Sequence, residues 1–150
     1  MKLLYKIDLQ HYQETCKKNI SDYSVATLGE NLIWGDVLIL GNENAYLSFK
    51  ADLIKFSYDL YDVLKNLKIN KASVYNLHNM YELYEFEIKM EADNVLLKLD
   101  RKKKVAFNYN DFCQEIYKLK QNIMNDIKIL FKDHHNINNM EKLFSLLLEQ

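Results

Sequence analysis

The spacing of apolar positions changes along the chain, and the change separates strands from helices. Over residues 3–9, Tyr5, Ile7 and Leu9 alternate with Lys6 and Asp8, the two-residue period of a half-buried strand. Residues 11–22 are polar (His11, Gln13, Glu14, Lys17, Lys18, Asn19) and suit either a short helix or a long loop. Residues 31–50 predict a hairpin. Leu32, Ile33 and Trp34 with Val37 to Leu40 form one arm, Gly41-Asn42-Glu43-Asn44 the turn, and Ala45, Leu47 and Phe49 one face of the return. Gly and Asn suit such a turn because both tolerate positive φ.

From residue 51 the period lengthens. Leu53, Phe56, Leu60, Leu64 and Leu67 recur at steps of three and four, with Ile54, Tyr61 and Val63 widening the stripe. This predicts a helix over 51–67 with one apolar face towards a sheet, and places Asp52, Lys55, Asp59, Asp62 and Lys65 on its wet side. Residues 70–80, with Ala72 and Val74, offer a further strand. Residues 81–109 return to period two over three consecutive runs. Tyr84, Phe86, Ile88 and Met90 alternate with Glu85, Glu87, Lys89 and Glu91; Val95, Leu97 and Leu99 follow a turn at Ala92-Asp93-Asn94; Val105, Phe107 and Tyr109 follow the charged turn Arg101-Lys102-Lys103-Lys104. Such runs predict an antiparallel meander with one dry face and one wet face.

A second helix is expected over 111–132 from Phe112, Ile116, Leu119, Ile123, Ile127 and Leu130, with Asn110 or Asp111 as its N-cap. Residues 133–139 break the pattern, and Met140, Leu143, Phe144 and Leu147 bring in a last helix. Strand runs separated by helices, without strict alternation, predict an α+β fold: an antiparallel sheet with helices packed on one face. No Pro-rich or Gly/Ser-rich linker divides residues 1–150, so a single domain is expected.

Composition narrows the function classes. The chain has 20 basic and 21 acidic residues, which excludes a polybasic nucleic-acid binder. Of the basic residues only Arg101 is an arginine, so recognition built on bidentate guanidinium forks to phosphate is not expected. The apolar run Leu143 to Leu148, broken by Ser145, is far short of the roughly 20 residues of a membrane span, and Lys6 and Asp8 interrupt any secretory h-region near the start. Cys16 and Cys113 form no disulfide framework, so a cytoplasmic location with two reduced thiols is expected.

Little chemistry is visible. Gly29, Gly35 and Gly41 belong to no phosphate-binding loop. His134 and His135 are neighbours in a polar stretch and diverge by about 100° if helical, a poor spacing for one metal; His11 and His78 are isolated. Cys113 lies near a helix start, where the dipole can lower a thiol pKa, but no base accompanies it. Neither a cofactor, a metal nor a catalytic constellation is expected. Eleven tyrosines, with Tyr58, Tyr61, Tyr75, Tyr81 and Tyr84 close in sequence, suit sheet or core edges and also contact surfaces. The clearest local asymmetry is acidic: Glu82, Glu85, Glu87, Glu91 and Asp93, relieved only by Lys89. On a strand Glu85, Glu87 and Glu91 share a face, at steps of about 7 and 14 Å. With Tyr84 beside them they form the candidate partner-binding surface, suited to a basic partner.

The N-terminal strand, the Trp34-Gly35-Asp36 hairpin, the helix opening Asp52-Leu53-Ile54-Lys55-Phe56, the meander and a helix opening at Asp111-Phe112 together resemble small bacterial immunity proteins that accompany polymorphic or contact-dependent toxins. The resemblance implies a non-enzymatic cytosolic protein that binds one cognate toxin domain encoded nearby, often by covering its active site. The chain departs from the acidic character common among inhibitors of basic nucleases. Two other readings stand beside it: a small enzyme whose site assembles from scattered Tyr, Asp and His residues, and a self-associating module whose apolar C-terminal helix, Met140 to Leu148, docks on a second chain.

Overall fold

The computed structural model describes residues 1–10, 33–67, 72–78 and 83–130. Within them lie seven strands and two helices: β1 (Lys2–Ile7), β2 (Trp34–Leu40), β3 (Tyr46–Asp52), α1 (Leu53–Leu67), β4 (Ala72–His78), β5 (Leu83–Glu91), β6 (Asn94–Leu99), β7 (Lys103–Asn108) and α2 (Tyr109–Leu130). The expectations for residues 11–22, 133–139 and the last helix, for Cys16, and for His11, His134 and His135, fall outside the described residues.

Two antiparallel sheets form, in the orders β1-β2-β3 and β4-β5-β6-β7. The fold is α+β, as the pattern predicts, and the stretch 70–80 supplies a fourth strand to the meander. Edge strands β3 and β7 adjoin. Helix α1 packs on α2, β3, β4 and β5, and α2 packs on β1, β6 and β7, so both helices cover the inward faces of the sheets. Alternation does the sorting. Leu3, Val37, Ile39, Leu47, Phe49, Phe86, Ile88, Val95, Leu97, Val105 and Phe107 point inward and join Phe56, Leu60, Phe112, Ile116 and Ile123 in one buried cluster. Phe49 of β3, Phe56 of α1 and Phe86 of β5 meet edge to face, with centroids 5.3, 5.0 and 6.4 Å apart. This triad ties the two sheets to α1.

Two expected details differ. Asp52 is not on the wet side of α1. It is the last residue of β3, it is buried, and its Oδ1 accepts the N–H groups of Ile54 and Lys55, each at 3.1 Å. A carboxylate that caps a helix must turn back over the first turn, so it leaves the outward face. Helix α2 likewise starts earlier than Asn110 or Asp111. Asn108 Oδ1 accepts the Asn110 N–H at 2.9 Å and does the capping. Asp111 instead lies 3.8 Å from the N-terminal ammonium of Met1.

Candidate partner-binding surface

The solvent side of the four-stranded sheet carries the residues singled out by their acidity. Strand β5 places Phe86 and Ile88 inward and Glu85, Glu87, Lys89 and Glu91 outward, so the three glutamates share a face. Pairing fixes their neighbours. Glu87 lies opposite Val74 of β4 and Lys98 of β6, and Lys98 lies opposite Lys104 of β7. Lys89 lies opposite Leu96, which faces Ala106; Glu91 lies opposite Asn94, which faces Asn108. Val74, on edge strand β4, is 60% exposed. Tyr84 lies in β5 opposite Leu77. Asp93 is exposed in the β5–β6 turn, where its carbonyl accepts the N–H of Tyr109 at 2.9 Å. Glu82 falls outside the described residues.

The acidity seen along the sequence is offset by cations on β5 and on the elements beside it. Lys98 donates to Glu87 at 2.7 Å, Lys89 pairs with Glu91 at 3.1 Å, and Arg101 reaches Glu85 at 3.3 Å. The hydrogen bond from Lys98 holds the Glu87 carboxyl below the usual carboxylate range against the opposing effect of burial, with the charges of Lys98, Lys89 and Arg101 adding to the lowering. The surface is therefore a lattice of alternating sign with apolar positions between, rather than an acidic field. Two of these cations, Lys98 of β6 and Arg101 of the β6–β7 turn, lie 11 and 16 residues from their glutamates in sequence but beside β5 in the sheet, whereas Lys89 belongs to β5 itself.

Other candidate groups are dispersed. Cys113 is half-buried in the first turns of α2 and is hydrogen-bonded with Tyr109, whose hydroxyl is pushed up by burial and then by that bond. Among the described residues, no three of His, Cys, Asp and Glu are grouped to hold a metal ion, and no helix is long and apolar enough to cross a membrane. Two features were not anticipated. Tyr5 Oη donates to Asp126 Oδ2 at 2.5 Å, and Leu3 N–H donates to Glu115 Oε2 at 3.0 Å, binding β1 to α2. The tyrosines and lysines of α1 and α2 also meet at their seam. The helical periods place Glu115 and Asp126 on one flank of α2, but only the tertiary fold shows that β1 lies there. No family model, curated protein or solved structure matches this chain.

Proposed function

We propose that the chain is a non-enzymatic protein-binding module that presents the solvent side of β4–β7 to a protein partner. In keeping with the resemblance to immunity proteins, that partner is a toxin domain encoded nearby, bound and neutralised in the cytoplasm. The reading rests on one observation: Glu85, Glu87 and Glu91 are each held by a neighbouring cation on one solvent-facing surface, beside the exposed Val74. Charged groups already fixed in place lose less freedom when a partner docks, and they favour one complementary arrangement of charge. Glu85, Glu87, Glu91 and Asp93, with Glu82 and Tyr84 adjoining them in sequence, are the proposed contact residues.

The test is capture of neighbouring gene products by the tagged chain and by its Glu85→Lys/Glu87→Lys variant, with circular dichroism as the control for folding. The parent should retain a neighbouring toxin domain, and the reversal should weaken retention by about tenfold or more. Failure to retain any neighbouring product sinks the toxin reading. Retention that ignores the reversal moves the contact off this face.

A further inference from the structure

The seam between α1 and α2 carries a cluster that the sheet face does not use. Tyr61 of α1 meets Tyr117 of α2 edge to face, with centroids 5.8 Å apart. Lys65, one helical turn beyond Tyr61, holds its Nζ 5.0 Å from the Tyr61 centroid, and Lys120 of α2 holds its Nζ 4.2 Å from the same point. The electron-rich face of a phenol ring attracts one ammonium, but two ammonium groups gathered around one ring also repel each other.

The two lysines differ in how that repulsion is offset. Lys65 sits in the last turn of α1, where the helix dipole favours a cation. Lys120 lies mid-helix and half-buried, without that compensation. Its ammonium is held below the usual lysine range, first by burial and then by Lys65. Lys55, Lys89, Lys98 and Lys118 each have a carboxylate beside them, but among the described residues no ion pair engages Lys65 or Lys120. Around Lys65 and Lys120 the described surface is aromatic: Tyr117 is 50% exposed and Tyr58, one turn before Tyr61, is 38% exposed.

We propose that this seam is a docking point for an acidic segment of a protein partner, whose carboxylates engage Lys65 and Lys120 while its apolar atoms pack on Tyr61 and Tyr117. The inference goes beyond the sheet-face reading and stands on a different surface. A peptide segment fits better than a small free anion for two reasons. Lysines are point charges without the planar fork that holds phosphate in a fixed geometry. The exposed rings of Tyr117 and Tyr58 beside half-buried Tyr61 offer contact area that a hydrated ion leaves unused, and tyrosine is a characteristic interface residue.

The experiment titrates the full chain with a synthetic Glu-Glu-Leu-Glu-Glu peptide while nuclear magnetic resonance follows the Tyr61 and Tyr117 ring signals. Inorganic phosphate serves as the comparison anion. The peptide is expected to move both ring signals and to raise the titration midpoint of the Lys120 ammonium. The Lys65→Gln/Lys120→Gln variant should bind it about tenfold more weakly. The Lys2→Gln/Lys6→Gln variant, which removes two exposed charges from β1, should bind it as the parent does. Ring signals that stay fixed, equal weakening in the two double variants, or phosphate shifts as large as the peptide's would each overturn the proposal. Circular dichroism of both variants guards against loss of the fold.

Discussion

Single positions carry constraints that their chemical type only partly announces. Gly35 is the clearest. A Cβ built there would stand 2.3 Å from the carbonyl oxygen of Lys6 and 2.9 Å from Leu53 Cδ1, so β1 and the start of α1 close on it from two sides. The backbone of Lys6 cannot yield without breaking the β1–β2 register, and Gly35→Ala should cost about 3 kcal/mol, at the upper end of overpacking effects. A urea melt measures this, and a loss under about 1 kcal/mol would refute the close approach. Gly41 meets Val105 Cβ at 2.9 Å, an atom fixed to the β7 backbone, so a side chain at Gly41 should also destabilise the fold. Turn residues show the opposite case. Ala92 has φ of 52°, a region that penalises a side chain by roughly 1–2 kcal/mol. Ala92→Gly removes that penalty but adds freedom to the unfolded chain, so a net gain of about 0.5–1 kcal/mol is expected in the same melts. The turn cluster Gly41 to Asn44 was legible from its composition, but the positive φ angles fall on Glu43 and Asn44 rather than on the glycine. What Gly35 does was not legible, because the atoms that crowd it come from residues 6 and 53.

At the level of elements, period was the reliable signal and ends were not. The stripe Leu53, Phe56, Leu60, Leu64 and Leu67 is buried throughout, and the alternation along β5, β6 and β7 sorts inward from outward residues as the pattern predicts. Both helix starts shifted for one reason. A cap is chosen by where the chain leaves the preceding strand, and each helix follows a strand directly. Asp52 closes β3 and Asn108 closes β7, so each strand's last polar residue turns back to hold the new helix. Asp52→Ala should cost about 1–2 kcal/mol, because two N–H groups at a buried helix start lose their acceptor. Asn108→Ala, at an exposed start with one bond, should cost about 0.5–1 kcal/mol. Chemical denaturation of both variants checks the ranking, and equal costs would show that burial does not matter at these caps. The candidate surface was legible in the same partial way. Period two placed Glu85, Glu87 and Glu91 together, but cross-strand order supplied Lys98 and Arg101, and strand order is not written in the run 82–93.

For the whole molecule, the question is what holds β1, a strand reached through a long stretch of chain, against the rest. On one side β1 pairs with β2. On the other, α2 takes it by two carboxylates: Glu115 accepts the Leu3 N–H and Asp126 accepts the Tyr5 hydroxyl. Both bonds depend on protons. Burial, then the hydrogen bond to Asp126, then its charge, push the Tyr5 hydroxyl above the ordinary tyrosine value. Folded Tyr5 therefore keeps its proton to higher pH than the unfolded chain does. Its contribution is whole below about pH 10 and is lost as pH rises beyond that. Glu115 behaves with the opposite sign. Burial pushes it up, but the hydrogen bonds from Lys118 and Leu3 outweigh burial and hold its carboxyl below the usual range. Its contribution is whole above about pH 4.3 and fades as pH falls. Stability should thus form a plateau with an acid shoulder and an alkaline shoulder that belong to different residues. Tyr5→Phe is expected to cost about 1 kcal/mol at neutral pH by removing a hydroxyl-to-carboxylate bond, and to soften the alkaline shoulder, Tyr109 keeping its share of it, while leaving the acid one. Glu115→Gln should soften the acid shoulder, Glu87 keeping its share of it, while leaving the alkaline one. Urea midpoints measured across both shoulders for the parent and the two variants decide it. If Tyr5→Phe loses stability above about pH 10 as steeply as the parent, the alkaline loss arises elsewhere in the fold, and the tie between α2 and β1 is not what titrates.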